Sequence, residues 1–116
     1  MSEPISDDGL ITFEEFSKLK LVVGKVVSAE SLPGMKKLFK VSVDIGDERR
    51  ELAVGAAQYY SPAEFVGKTV VVCKNLEPKK LGGIISAGML LAADGPEGKP
   101  IFLTTSEEAV PGSQIH

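Results

Sequence analysis

The chain has 116 residues, of which 43% are hydrophobic and 25% charged, so it is long enough for one folded core and too apolar for a disordered protein. Its formal net charge of -3 excludes a protein that binds nucleic acid through overall positive charge, and an aromatic content of 6% without Trp argues against a face of several stacked rings. A single Cys, together with a single His at the last position, provides no spacing typical of a metal site.

The N-terminal segment, residues 1–10, contains three acidic residues, one Pro and one Gly, and we expect a flexible tail there. Residues 11–116 are then expected to form one domain. The segment has neither the basic start nor the apolar run of a signal peptide, and no stretch of the sequence is long enough to span a bilayer. We therefore expect a cytoplasmic protein that does not enter membranes.

The stretch "TFEEF" predicts a short helix. Thr12 followed by Glu15 has the pattern of a capping box, in which each side chain accepts a hydrogen bond from the other residue's backbone N–H. The helix is predicted to run to about Lys18. Its apolar face is predicted to consist of Phe13, Phe16 and Leu19.

Three strands are predicted next. "LKLVVGKVVSAESL" is rich in β-branched residues, and Gly24 inside it is typical of a bulge or a bend. "LFKVSVDIGDE" alternates apolar and polar residues, which indicates a strand with one buried and one wet face. The turn residues "GDE" lead into "RRELAVGAA", so strands two and three are predicted to form a hairpin.

The second half of the sequence predicts a short helix and two further main strands. "SPAEFVG" has a Ser N-cap, a Pro at the first helical position and a terminating Gly. "KTVVVCKN" is a continuous apolar run that favours a strand buried on both faces. After "NLEPKKLGG", predicted to be a loop, "IISAGMLLAA" is the fifth strand, "IFLTT" a short additional one and "SEEAVPGSQIH" a tail that docks on the domain.

This order predicts an all-β protein, a five-stranded OB-fold barrel with short helices and a small C-terminal extension. Such barrels bind ligands on the face of strands two and three and on the loops that join strands one to two and four to five. Each of those loops carries a lysine pair here, Lys36 and Lys37 in the first and Lys79 and Lys80 in the second. Since Lys40 and Lys74 lie at the neighbouring strand ends, we expect a local basic patch on an acidic protein.

The residues themselves resemble a known family. "GKVV", the run from "SPAEFVGK" through "NLEPKKLGG" to "SAGM", and the closing "VPGS" occur at the spacing of the tRNA-binding domain found at the C-terminus of methionyl-tRNA synthetases. The same domain occurs as separate tRNA-binding proteins and as synthetase β subunits. The resemblance covers about residues 11–115.

The resemblance implies a non-catalytic tRNA-binding protein without a cofactor. It implies that the loop from Asn75 to Gly83, with Ser86 and Met89, forms or supports the tRNA surface. It also implies a homodimer that favours the shape of the tRNA, chiefly its outer corner, with methionyl-tRNA synthetase as a candidate partner in protein biosynthesis. Together with the loop lysines, the predicted RNA-binding residues are Lys36, Lys37, Lys40, Lys74, Asn75, Lys79, Lys80, Ser86 and Met89.

The chain departs from the family pattern at two motifs. Val22 stands where the family has an Arg, and Leu32 stands where it often has a His. In the second motif Lys36 also replaces an Asp. These changes bear on the strength and the footprint of RNA binding.

Several residues allow a structural interpretation as well as a functional one. The turn lysines could simply be solvated, Ser86 could satisfy a strand end, and Met89 could lie in the core. Tyr59 and Tyr60 could stack on a base or close the barrel.

Two other classes of function compete with tRNA binding. A protein-interaction or chaperone-like module on the same barrel remains the alternative, because a fold does not fix a function. An enzyme is not expected, because Cys73 is predicted to be a buried small hydrophobe and the sequence offers no internal His to activate a nucleophile.

Overall fold

The computed structural model describes residues 9–116, so most of the predicted tail, residues 1–8, lies outside the described residues. The strands are β1 (Leu21–Ser31), β2 (Phe39–Asp44), β3 (Arg49–Val54), β4 (Thr69–Cys73), β5 (Lys79–Leu81), β6 (Ile84–Ser86), β7 (Met89–Leu90), β8 (Ala92–Asp94), β9 (Pro100–Phe102) and β10 (Gln114–Ile115). The helical segments are α1 (Phe13–Phe16) and two single turns of 3₁₀ helix, Pro62–Glu64 and Pro96–Gly98.

The main sheet has the strand order β3-β2-β1-β4-β7, and β10 pairs with the start of β1. The 11-residue β1 serves both halves of this sheet, since Leu21–Lys25 pair with β4 and Lys25–Ser31 pair with β2. Its register with β2 shifts between Val26 and Ser28, and a bulge of this kind bends the strand. The sheet therefore curls into a nearly closed barrel, which confirms the prediction of an all-β, five-stranded fold.

The barrel core follows from the two strand patterns recognised in the sequence. Along β2 the residues alternate between buried and half-buried, and along β4 four consecutive residues from Val70 to Cys73 are buried. Both predictions are confirmed, including the burial of Cys73. The core cluster contains Val22, Val26, Phe39, Val41, Val43, Ile45, Leu52, Val54, Ala56, Phe65, Val70, Val72 and Leu90.

Gly24 has a different role from the predicted bulge or bend. The register shift lies further along β1, between Val26 and Ser28. At Gly24 the backbone packs against core side chains, and a Cβ there would lie 2.5 Å from Val43 Cγ1 and 3.0 Å from Val72 Cγ2. Close packing of the barrel interior therefore explains this glycine.

The predicted fifth strand is interrupted, and the predicted loop before it is partly strand. "NLEPKKLGG" contributes β5, which pairs with β6 as a separate hairpin. The chain then continues as two further short strands, β7 on β4 and β8 on β9. The main break falls at Gly88, which has φ 132° and whose Cβ would lie 2.9 Å from the Cys73 carbonyl oxygen. A residue with a side chain would not fit that geometry.

The two ends of the described chain meet at the beginning of β1. The C-terminal tail docks on the domain as predicted. The Val23 N–H donates to the Ser113 carbonyl at 2.9 Å, and the Gly112 N–H donates to the Val23 carbonyl at 2.7 Å. The predicted helix is one turn long, and Thr12 and Glu15 form the capping box with both hydrogen bonds at 3.0 Å. Its predicted apolar face is largely solvent-exposed, with Phe13 at 81%.

Candidate nucleic-acid interface

The β5–β6 hairpin, which we call the lysine hairpin (residues 79–86), presents two of the predicted lysines. Lys79 lies opposite Ser86 and Lys80 lies opposite Ile85, and both lysines are exposed. Gly82 and Gly83 form the two-residue turn with φ 57° and 85°. Two successive residues with positive φ give the turn the twist of the hairpin strands, so glycines are favoured at both positions.

The base of the lysine hairpin is attached to β3. Ser86 is buried, and its Oγ accepts a hydrogen bond from the Ala53 N–H at 3.0 Å. The next residue, Ala87, donates its N–H to the Glu51 carbonyl at 3.2 Å. Ser86 thus satisfies a backbone N–H of β3, in agreement with its structural interpretation. The same hydrogen bond fixes the base of the hairpin that carries Lys79 and Lys80.

Arg50 is a second anchor, and sequence reasoning did not single it out. Its Nη1 donates to the carbonyl oxygens of Lys74, at 2.8 Å, and Ala87, at 3.1 Å. Glu48 holds the other side of the guanidinium through contacts of 2.8 and 3.3 Å and raises the pKa of Arg50. Arg50 therefore ties both ends of the segment that contains the lysine hairpin to β3. The only signal for this role in the sequence is an Arg on the predicted third strand, which belongs to the face where barrels of this kind bind ligands.

Asn75 and Lys74 connect the same segment to the start of β1. Asn75 Oδ1 accepts the Lys20 N–H at 2.9 Å, while its Nδ2 donates to the Lys18 carbonyl. The Lys74 N–H donates to the Lys20 carbonyl at 2.9 Å. The Asn75 amide is thus engaged with main chain, which orients the loop that leads to Lys79.

The two loops that carry the lysine pairs lie against each other. A Cβ at Gly82 would be 2.9 Å from Leu32 Cδ1 and 3.4 Å from Met35 Cγ, so the tip of the lysine hairpin rests on the β1–β2 loop. Leu32 is buried there. Leu32 therefore makes an apolar contact that joins the two loops. Lys36 and Lys37 on the β1–β2 loop are both exposed.

Lys40 lies on β2, between β1 and β3, and its surroundings differ from those of the loop lysines. Its Nζ lies 3.1 Å from Glu30 and 3.5 Å from Glu51. The hydrogen bond to Glu30, followed by charge attraction to Glu51, raises the pKa of Lys40 above its ordinary value. The charge of Lys40 is balanced by these neighbours, whereas the loop pairs extend into solvent.

An open groove of about 360 Å³ lies between the lysine hairpin and the β8–β9 hairpin, and we call it the hairpin groove. Met89 lies on its wall with an exposed fraction of 50%, so the core interpretation of Met89 does not hold. The two tyrosines instead follow the barrel-closing interpretation. The Tyr60 hydroxyl donates to the Pro100 carbonyl at 2.8 Å and its ring packs on Phe65, while the Tyr59 hydroxyl donates to the Glu97 carbonyl at 2.9 Å.

Comparison with known proteins identifies the family. Residues 21–114 match the family model described as "Putative tRNA binding domain", and this match covers most of the chain. The chain belongs to this family. It is 45% identical over 105 residues to the methionine–tRNA ligase of Methanocaldococcus jannaschii, an alignment that covers 90% of the chain and 16% of the ligase. The chain thus spans about a sixth of the length of the curated relatives it matches.

Two solved structures extend the comparison. A MetRS-related protein from Pyrococcus horikoshii has a TM-score of 0.86 and 37% identity, over 92% of this chain and 98% of the other. The chaperone CsaA from Bacillus anthracis has a TM-score of 0.84 and 25% identity, over 93% and 100%. The whole tRNA-binding domain therefore shares its fold with a protein described as a chaperone.

The described residues, 9–116, lack two other features. Within that range no cluster of three or more His, Cys, Asp and Glu side chains is arranged to hold a metal ion. The helices of the same range are all too short to cross a bilayer.

Proposed function

We propose that this protein binds tRNA without catalysis, mainly through phosphate contacts from the lysines of the β1–β2 loop and the lysine hairpin. The observation that carries the proposal is the contact between Gly82 and Leu32, which unites two exposed lysine pairs in a chain of net charge -3. Phosphate contacts of this kind do not depend on base sequence, so the tRNA is selected by its shape, as expected for its outer corner. Four contacts give a log–log salt slope of roughly -3 to -4.

The test is a pair of double variants that remove the same charge. Lys79→Ala with Lys80→Ala should weaken the binding of total tRNA and reduce the salt slope by about 1.5 units. The matched control is Lys25→Ala with Lys68→Ala, since both residues are exposed and lie outside the two loops. It should leave the slope unchanged. Equal losses in the two double variants would mean that only net charge matters, and absence of wild-type binding at low salt would refute tRNA binding altogether.

The protein is proposed to serve as an accessory subunit or trans-acting factor for methionyl-tRNA synthetase in the cytoplasm. The ligase relatives contain the same domain as about a sixth of their length, which supports a role beside a synthetase. A second attachment to tRNA raises its effective concentration at the catalytic site without adding chemistry. Adding the protein to a purified methionyl-tRNA synthetase should therefore lower KM for tRNA and leave kcat unchanged. An unchanged KM would refute this role and leave tRNA binding in place.

A homodimer is the proposed assembly. Exposed apolar side chains surround α1, namely Leu10, Ile11, Phe13, Phe16 and Leu19, with exposed fractions from 37% to 81%. A contiguous apolar surface of this kind is typical of a protein interface. Light scattering should give twice the chain mass for the wild type and the chain mass for Phe13→Asp. A monomeric wild type at micromolar concentration would refute the proposal.

The second candidate function is a protein-interaction or chaperone-like module, favoured by the likeness to the chaperone CsaA. An apolar protein interface should not weaken steeply with ionic strength, whereas phosphate binding should. Salt-insensitive capture of a permanently unfolded protein, combined with absence of tRNA binding, would favour this candidate over the first.

A further inference from the structure

The hairpin groove lies directly beside the lysines proposed to bind phosphate. Lys79 is at its edge, and its walls include Leu76, Met89 and Phe102. Leu76 is 44% and Met89 50% exposed, although both are large apolar residues. The groove thus combines an apolar surface with a cationic edge in one place.

These features match the chemistry of one nucleotide. A base that leaves its stack has apolar faces that gain from contact with a thioether, an aliphatic chain or an aromatic ring. Its phosphate carries the charge that Lys79 attracts. Glu77 also lines the groove and offers a carboxylate, the acceptor that pairs with exocyclic amino groups of bases. A volume of about 360 Å³ has room for one nucleotide, and the single aromatic ring in the lining offers one surface on which a base can stack.

We propose that the hairpin groove receives one unstacked nucleobase of the bound RNA, next to the phosphates held by the lysine hairpin. The inference rests on the proposed tRNA binding and extends it, because phosphate contacts alone do not require an unpaired nucleotide. The groove is continuous with the lysine surface, which favours RNA over a peptide as the occupant. It also gives the protein a means of preferring folded RNAs that expose a base over regular helices.

Gly55 provides a way to fill the groove. It lines the groove, it is exposed, and a Cβ built on it meets no atom within 4 Å. Its φ is not among the positive values that disfavour side chains. Gly55→Leu should therefore fold normally and occupy the space of the base. We expect a roughly tenfold loss of tRNA affinity with an unchanged salt slope, since the lysines are untouched. Ala63→Leu, at an exposed position outside the groove, is the bulk control and should bind as the wild type does.

A second measurement observes the groove directly. The chain has three methionines, so the methyl groups of Met89 and Met35 can be followed by NMR after methyl labelling and assigned with Met→Leu variants. The probes are one RNA hairpin with a single bulged adenosine and the same hairpin without it. The bulged hairpin should shift the Met89 methyl upfield through the ring current of the base. Met35, on the β1–β2 loop, should respond alike to both RNAs.

The outcomes separate this inference from the function on which it rests. Absence of wild-type binding to tRNA would overturn both. Normal tRNA binding by Gly55→Leu, with a Met89 signal that does not distinguish the two hairpins, would overturn the base site and leave the lysine contacts standing. A Met89 shift with a permanently unfolded protein, and none with RNA, would assign the groove to protein segments and overturn the inference.

Discussion

Replacement of Arg50 tests whether the lysine hairpin is held in place from β3. In Arg50→Ala the carbonyls of Lys74 and Ala87 lose a charged donor at 2.8 and 3.1 Å. A hydrogen bond from a charged group contributes about 1.5–3 kcal/mol. Because the Arg50 side chain is 23% exposed, water can hydrate the two carbonyl oxygens in part once the guanidinium is removed. We therefore expect the free energy of unfolding to fall by about 2–3 kcal/mol for both bonds together, at or just below the lower end of the roughly 3–6 kcal/mol that two full contributions would give.

The assay is urea unfolding of the wild type, Arg50→Ala and Arg49→Ala. Arg49 is the neighbouring residue on β3, is exposed, and removes the same charge when it is replaced. The control should change stability by no more than about 0.5 kcal/mol. Equal effects in the two variants, or a loss below about 1 kcal/mol in Arg50→Ala, would refute the anchoring role.

RNA binding gives a readout that a purely structural role would not move. If Arg50 orients the lysine hairpin and does not contact phosphate, Arg50→Ala should weaken tRNA binding under conditions where the variant is fully folded. The salt slope should remain that of the wild type, because the lysines proposed to bind phosphate are unchanged. A slope reduced by about one unit would instead mean that Arg50 itself binds a phosphate.

The Arg50–Glu48 pair also has a pH signature. The hydrogen bond from Arg50 lowers the pKa of Glu48 below its ordinary value of 4.5. Since the folded-state pKa is the lower one, the pair stabilises the protein above the unfolded-state value, and this contribution is lost as the pH falls through the folded-state pKa. Glu48→Gln should therefore flatten part of the acid limb of the stability curve. Parallel stability curves for wild type and variant between about pH 6 and about pH 3 would contradict this assignment.

Three further predictions concern the core, the docked C-terminal tail and the charge of the proposed binding face. Phe65 is 3% exposed and makes edge contacts with three aromatic rings. In urea unfolding, Phe65→Ala should lower the free energy of unfolding by about 3–4 kcal/mol, and Phe65→Leu should lower it markedly less. Gly112→Ala should lose about 1–3 kcal/mol in thermal or urea unfolding, because Gly112 has φ 93° and its Cβ would lie 2.7 Å from a main-chain oxygen; a neutral effect would mean that the tail is loosely docked. Glu51→Gln removes a carboxylate 3.5 Å from Lys40 and should tighten tRNA binding roughly twofold in a salt titration, whereas unchanged affinity would indicate that Lys40 is not in the interface.

Much of the fold was predictable because its signals are local. Alternation along β2 and the apolar run of β4 report burial directly, since side-chain direction in a strand has a period of two residues. The capping box at Thr12 needs residues only three positions apart. Element order alone also placed the lysine pairs in the two segments that join β1 to β2 and β4 to the later strands, although the second segment contains β5 where a loop was predicted.

Other features could not be predicted, because they depend on contacts between residues that are far apart in the sequence. The division of the expected fifth strand follows from the approach of Gly88 to the Cys73 carbonyl on a neighbouring strand. The pairing of Lys40 with Glu30 and Glu51 requires the registers of three strands. Periodicity in a single segment contains no information about either.

The sequence by itself determined the barrel class, its buried strands and the family, because these reside in local periodicity and in motifs read along the chain. Only the tertiary structure decided how the candidate surface is assembled. Leu32 meets Gly82 across the two loops, and Arg50 reaches carbonyls 24 and 37 residues away. Such contacts depend on strand register and on the curvature of the closed sheet, which arise only when all the strands pack together.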